Sequence, residues 1–519
     1  MHYENTSVFF IFAEKLDSSY SANSTNYQIC YIINSFLITM GLRSIMRIRT
    51  ITLFFALICL VIYYMNMEKP SLSEKLASIN QLHLLKNWDN LSEASQRKLA
   101  KQIEEIEIPI FLKQKKVIQS PFQENHSSLT AFNDYEEAGN PILKNRGQDL
   151  ISEGKVGCII VAGGQGTRLK MDGPKGMFPI SAIKHKSLFQ LFAEKTLAAG
   201  KQLGVTLPIA IMTSPLNHQQ TTTFFTNHNN FGLSSHQLSF FSQGMLPFLN
   251  QEGSLFLEEP DHIALGPDGN GMSLIHFYKS GTWQKWHNKG VRWVNYVLID
   301  NPLADPFDAE LIGFHADQNL DITIKCIPRL HAEEKVGIIV KRDGKTEVIE
   351  YTEIPASERD ERLPSGQFKH PCANISLFCF SMDFIKQYAE SGKTLPLHAN
   401  WKSAKYLNPD GQSVNSSTPN AWKFETFIFD LLPEATRVKG LLYKREDCFA
   451  PLKNEKGEAS PETVQAALLA QDRKTLEQIT GLAAPLEAFE LSQDFYYPTA
   501  ELINKWNKRS PNQSGYVES

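Results

Sequence analysis

Val156-Gly-Cys-Ile-Ile-Val-Ala-Gly-Gly-Gln-Gly-Thr-Arg-Leu-Lys-Met-Asp-Gly-Pro-Lys-Gly-Met177 is the stretch that decides the fold of this 519-residue chain. The apolar run Val156–Val161 reads as a buried strand. It feeds straight into Gly163, Gly164 and Gly166, with Arg168 close behind and Lys175 seven residues later. Glycines let backbone N–H groups crowd around an anion, because no Cβ blocks the approach. Two cations then meet charge that the backbone dipoles alone cannot neutralise. The pattern suits a nucleotide triphosphate. A Walker loop is excluded, because no Lys-Ser/Thr follows the glycines. A dinucleotide fingerprint fails at its third position, where Leu169 stands. A plain strand–turn–helix with small residues is the simpler alternative, and Arg168 and Lys175 in one short loop count against it.

Outward from this loop, strand and helix patterns alternate. Ser187–Ala199 is predicted helical, Pro208–Met212 a strand ending at Thr213, and Asn217–Thr226 helical. Arg292–Ile299 reads as a strand running into Asp300, and Asp321–Ile327 and Val336–Val340 as further strands. Such alternation predicts an α/β fold with a mostly parallel sheet. Sites in these sheets lie beyond the carboxyl ends of the strands, so Gly163, Thr213 and Asp300 should share one edge. Four segments are expected: an atypical extension over 1–66, a helical region over 67–150, the catalytic domain over 151–437, and a small C-terminal domain over 438–519. The helical region is read from Leu82, Leu84, Leu85, Trp88 and Leu91, then from Leu99, Ile103 and Ile106.

The net charge of −4 gives no reason to expect a nucleic-acid surface. Seven scattered cysteines form no paired Cys-x-x-Cys motif, so they suit reduced thiols in a cytosol rather than a structural zinc. Ile51–Met65 is an apolar run preceded by Arg43, Arg47 and Arg49. At about fifteen residues it falls short of the ~20 of a spanning helix. It reads as an over-extended start in preference to a real membrane anchor, with the working protein beginning near Met67. Membrane association is expected only if the segment is a real anchor; otherwise the expected location is cytoplasmic.

Several motifs resemble, in order, those of the eukaryotic-type UDP-N-acetylhexosamine pyrophosphorylases, a branch of the UDP-sugar pyrophosphorylase group. They are the glycine loop, Trp88-Asp-Asn-Leu-Ser92, Gln243-Gly-Met-Leu-Pro247, Pro267-Asp-Gly-Asn-Gly271, Val297-Leu-Ile-Asp-Asn301, Val348-Ile-Glu-Tyr-Thr-Glu353, Ala373-Asn-Ile375 and Lys423-Phe-Glu-Thr-Phe-Ile-Phe-Asp430. The resemblance runs from about Leu82 to Asn454. It implies a Rossmann-like, GT-A-like nucleotidyltransferase domain. It also implies a reaction in which UTP and N-acetylglucosamine 1-phosphate give UDP-N-acetylglucosamine and pyrophosphate, with Mg²⁺ as cofactor.

Residue by residue, the resemblance assigns Ala162, Gly163, Gly164 and Gly166 to nucleotide binding, and Arg168, Lys175 and Lys423 to the phosphates. Gln243 would read the uracil ring, since an amide both donates and accepts. Gly269 would let the backbone approach the base. Asn270, Glu350 and Asn374 would meet the sugar side. Asp300 would hold the metal, because Mg²⁺ takes one or two carboxylates plus phosphate and water oxygens. Whether Asp305 lies near it is left open. Two departures are Ser242 for a glutamine and Ala373 for a glycine, and the second could narrow the sugar pocket. A glucose 1-phosphate or broad-specificity pyrophosphorylase is the alternative within the class. A membrane-anchored glycosyltransferase is the alternative outside it, although Asp300-Asn-Pro lacks the Asp-x-Asp such enzymes often use.

Overall fold

The computed structural model describes residues 69–119, 129–509 and 515–519. The Ile51–Met65 run, and with it the choice between anchor and over-extended start, lies outside the described residues. A short unit ending at Leu82 carries a helix over residues 69–78. The second unit, His83–Ser519, holds the rest of the described elements.

An eleven-stranded sheet organises this second unit. Its strands are β1 (Leu129–Ala131), β2 (Tyr135–Glu137), β3 (Val156–Val161), β4 (Ile209–Thr213), β5 (Leu238–Ser242) and β6 (Trp293–Leu298). They continue with β7 (Ile322–Pro328), β8 (Gly337–Arg342), β9 (Lys345–Glu350), β10 (Cys372–Ser381) and β11 (Val438–Leu442). The main order is β2-β11-β7-β10-β6-β3-β4-β5, with β8 branching to β1, β9 and β10. Neighbours along the main order run parallel except at β10, which is antiparallel to both β6 and β7.

The centre of this sheet is apolar on both faces, as a parallel sheet covered on both sides requires. Ile160, Ile209 and Ile211 join one core cluster, while Ile159, Ala210 and Met212 join the other. All six are at most 1% exposed. Burying one large aliphatic side chain contributes roughly 1.5–3 kcal/mol, so the central strands carry a large share of the stability. On one face lie helices α1 (Pro141–Ser152), α2 (Leu188–Leu203) and α3 (Ala309–Asp317). Ser187 caps α2 by accepting from Gln190 N–H, and Gly204 ends it at φ 68°. Helices α1 and α3 touch through their backbones. A Cβ on Gly147 would lie 1.7 Å from the Ala309 carbonyl oxygen, and one on Gly313 1.9 Å from that of Leu143.

Two expected boundaries are corrected. Val438–Leu442 is strand β11, paired in parallel with β7, so the sheet continues past residue 437. At the other end β1, β2 and α1 belong to the sheet and its cover, so 67–150 is not an independent helical region. The physical reason is length. A three-residue strand offers no alternation to read, and its pairing partner lies roughly 300 residues away in sequence.

Candidate active site at the carboxyl rim of the sheet

Strands β3, β4, β5 and β6 run in one direction, so Gly163, Thr213, Gln243 and Asp300 emerge on one rim. The glycine loop there folds back on itself as a small hairpin. Gly166 N–H donates to the Gly173 carbonyl (2.8 Å), and Lys175 N–H donates to that of Gly164 (3.1 Å). The seven-residue spacing therefore sets Lys175 against the glycines. The N–H groups of Gly164, Gln165, Thr167 and Arg168 find no acceptor among the described residues. Free donors of this kind can cradle an anion. Arg168 stands exposed on the same loop and makes no ion pair among the described residues.

Asn217 holds the loop from beneath. It is fully buried, and its Nδ2 donates to the carbonyls of Ala162 (3.1 Å) and Gly164 (3.4 Å). Its Oδ1 accepts from Ser214 N–H, which ties the loop to the end of β4. Gln243 lies flat against Gly163, where an added Cβ would meet its amide at 2.8–2.9 Å. Only glycine leaves room for that amide beside the loop.

Lys175 and Asp300 come together. Lys175 Nζ is 3.7 Å from Asp300 Oδ2 and donates to the Leu452 carbonyl at 3.4 Å. Both side chains are largely buried, so the pair is screened less than a surface ion pair. The segment after β11 clamps this corner. Leu452 N–H donates to the Asp300 carbonyl (2.7 Å), while Asn301 bonds to Cys448 and Ala450.

Asp300, Glu350 and Asn374 line one cavity of about 280 Å³. Gly337 pairs with Glu350 on one side and Asn374 on the other, which brings β8, β9 and β10 to the cavity edge. Phe427 and Phe429 add an apolar wall. Asn374 Oδ1 accepts from Ser376 N–H, which leaves its amide donors for a ligand. Glu350 also caps the short turn Tyr351–Glu353.

Other assigned residues sit differently. Asn270 Oδ1 accepts from Ile428 N–H (3.0 Å), so its oxygen braces the strand-to-turn segment beyond Lys423. Gly269, at φ 85°, bridges to Thr426, where a Cβ would strike the Thr426 carbonyl oxygen at 2.3 Å. Lys423 lies 4.6 Å above the Phe248 ring and does not line the cavity with Asp300. Burial, reinforced by nearby Lys402, holds its ammonium below the usual lysine range. Asp305 is buried elsewhere, bonded to Tyr497 and to Phe307 N–H, and lines a different cavity.

Two constellations escaped the sequence reading. His276 Nε2 lies 3.1 Å from both Gly244 N and Asp268 Oδ2, joining the Gln243 turn to the Asp268–Gly271 turn. His398 lines the cavity, donates from Nε2 to Asp430 Oδ2 at 2.8 Å and packs on Phe427. Neither histidine sits in a short motif with its partner. The local hints are their partners, Gly244 and Asp268 in the Gln243 and Pro267 motifs and Asp430 at the end of the Lys423 motif.

For a metal, no group of three or more His, Cys, Asp or Glu side chains is set to hold one among the described residues. Asp300 offers a carboxylate 3.7 Å from Lys175. A single carboxylate beside free N–H donors fits Mg²⁺, which keeps water and substrate oxygens as its other ligands.

Residues 111–477 match the family model described as UTP–glucose-1-phosphate uridylyltransferase. UDP-N-acetylglucosamine pyrophosphorylase of Saccharomyces cerevisiae is 30% identical over 84% of this chain and 97% of its own length. UDP-N-acetylglucosamine diphosphorylase 2 of Arabidopsis thaliana is 30% identical over 77% of this chain and 83% of its own. The solved structure of the Trypanosoma brucei UDP-N-acetylglucosamine pyrophosphorylase, at 24% identity, has the same fold (TM-score 0.71; 87% of this chain, 98% of that one). With its glycine hairpin, its rim and this likeness along most of its length, the chain belongs to the UTP–sugar-1-phosphate uridylyltransferase family.

Proposed function

We propose that the chain joins UTP and N-acetylglucosamine 1-phosphate to give UDP-N-acetylglucosamine and pyrophosphate. The observation that carries this reading is the Lys175–Asp300 pair, set between a cradle of free N–H groups and the cavity edged by Glu350 and Asn374. One side suits a triphosphate and the other a hydroxylated ring.

A phosphate oxygen of the sugar forms the new P–O bond to the α-phosphorus. The α–β bridging bond breaks, and its electron pair leaves with pyrophosphate. No covalent nucleophile is required, so the protein contributes alignment and charge neutralisation. The loop N–H groups, with Arg168 and Lys175, hold the phosphates. Gln243 faces the base beside Gly163, and Asn374 and Glu350 orient the sugar. Mg²⁺, held through Asp300 and the phosphates, would add positive charge where the leaving group develops negative charge. Lys423, which rests over the Phe248 ring, would approach the phosphates from the far side. We place the reaction in the cytoplasm. The five described cysteines are free and buried, which suits a reducing compartment, and no helix among the described residues is long and apolar enough to cross a membrane.

A second reading, glucose 1-phosphate as acceptor, is favoured by the name of the matching family model. Purified chain with UTP, Mg²⁺ and a panel of sugar 1-phosphates separates the two by kcat/KM, with pyrophosphate as the readout. A preference for glucose 1-phosphate overturns the sugar assignment. Failure to regenerate UTP from UDP-N-acetylglucosamine and pyrophosphate overturns the reaction class, and would favour a glycosyltransferase.

A further inference from the structure

The short helix Ser273–Lys279 backs the Gln243 turn. Leu274, Ile275 and Phe277 are buried in the core, and Phe277 packs against Phe241 and Trp286. Ser273 Oγ donates to Tyr296 Oη at 3.2 Å. The helix is therefore a fixed post, and His276 projects from it toward two turns.

Those turns close one narrow ribbon. Met245–Pro247 pairs antiparallel with Leu265–Pro267, and Asp268 N–H donates to the Gly244 carbonyl (3.1 Å). Gln243 and Gly269 are the chain neighbours of this closing pair. Each side is also tied elsewhere. Gln243 N–H donates to the Thr213 carbonyl (2.9 Å), and the Asp268 carbonyl accepts from Thr426 N–H (2.8 Å) and Oγ1 (2.9 Å). His276 adds a side-chain link across the two turns, its Nε2 lying 3.1 Å from Gly244 N and 3.1 Å from Asp268 Oδ2.

One ring nitrogen cannot serve both partners fully. Bare, it accepts from Gly244 N–H and turns its lone pair toward a carboxylate. Protonated, it donates to Asp268 and leaves Gly244 N–H without that acceptor. Asp268 is short in either case. Its side chain is buried, and its Oδ1 has no hydrogen-bond partner among the described residues. The spacing of the two turns thus hangs on a single, fully used atom.

We propose, on the reading that Gln243 faces the base, that His276 is a positioning residue for base recognition. It fixes the spacing of the Gln243 and Gly269 turns, and so sets how tightly uracil is held and how well it is told from cytosine. An amide discriminates the two only while its orientation is fixed, because a half-turn exchanges its donor and acceptor.

Calorimetric titration of the full chain with UTP and with CTP tests this. His276→Leu keeps the bulk and loses both contacts. It should weaken UTP binding roughly tenfold, the scale of buried polar groups left short, and reduce the preference for UTP over CTP. His276→Gln, whose amide can accept from Gly244 and donate to Asp268 at once, should restore both. The melting curve and KM for the sugar phosphate should stay as in the wild type. Should His276→Leu not fold, His276→Ala is read in its place. Unchanged UTP affinity, an equal loss for UTP and CTP, or a glutamine variant no better than the leucine one overturns the role of His276. A wild type that binds CTP as tightly as UTP overturns the parent reading of Gln243 and this role with it.

Discussion

Lys175 shows how much one side chain can depend on its loop. The hairpin bonds between Gly164, Gly166, Gly173 and Lys175 place its ammonium 3.7 Å from Asp300. Lys175→Ala should leave the fold intact and lower kcat by roughly 10²-fold or more, as loss of one preorganised charge contact does. Steady-state kinetics on a variant with an unchanged melting curve checks it, and near wild-type kcat would remove the role. His398 gives a different expectation. Its Nε2 is committed to Asp430, which leaves Nδ1 for the sugar. His398→Ala should raise KM for the sugar phosphate roughly tenfold, the scale of one polar contact, and leave KM for UTP unchanged. Equal rises in both would reduce His398 to scaffold. The sequence disclosed Lys175 and Asp300 because each lies within one short, patterned run. It hid Asn217 and His398 because their partners are distant in the chain and their roles exist only once strands are side by side.

Among the elements, α3 carries the clearest pH dependence. His315 is wholly buried, its Nδ1 is 2.8 Å from Thr323 Oγ1 of β7, and its Nε2 has no hydrogen-bond partner among the described residues. Burial lowers its pKa from 6.5 to about 3. Between those values the unfolded chain binds the extra proton, so stability rises with pH across the window and is lost as pH falls below 6.5. Asp472, raised by burial from 3.8 to about 7, acts in the opposite sense through part of that window. A difference measurement isolates the histidine. Denaturant midpoints of wild type and His315→Gln at pH 7.5 and 5 should show a smaller acid loss in the variant, and parallel losses would refute the assignment. The six-residue apolar run of β3 disclosed itself in the sequence. The three-residue β1 and β2 could not, since their side chains form no period and the ladder alone defines them.

Across the whole molecule, the catalytic rim and the C-terminal segments are one construction. β11 fills a place inside the sheet between β2 and β7, and the segment after it clamps Asp300. A chain ending at residue 437 should therefore fail to fold, because it loses a paired strand and the Asp300 clamp together. Solubility, far-ultraviolet circular dichroism and amide exchange test this. A soluble, cooperatively melting product would show that the sheet tolerates the loss. The α/β class and the strand-end position of the site were readable from alternation and glycines. The boundary at 437 was misread because the pairing that joins β11 to the sheet is invisible along the chain.

The place of β11 also bears on how the protein is made. Tyr135–Glu137 must wait for Val438–Leu442, roughly 300 residues later, before it has a neighbour. At about 5–20 residues per second, a ribosome needs about 15–60 s to supply it. Over roughly the last 110 residues of that interval, about 5–22 s between completion of β7 and arrival of β11, the nascent sheet shows an open flank at β7. Cells making this enzyme should depend on chaperones during its synthesis more than the mature protein's packing would suggest.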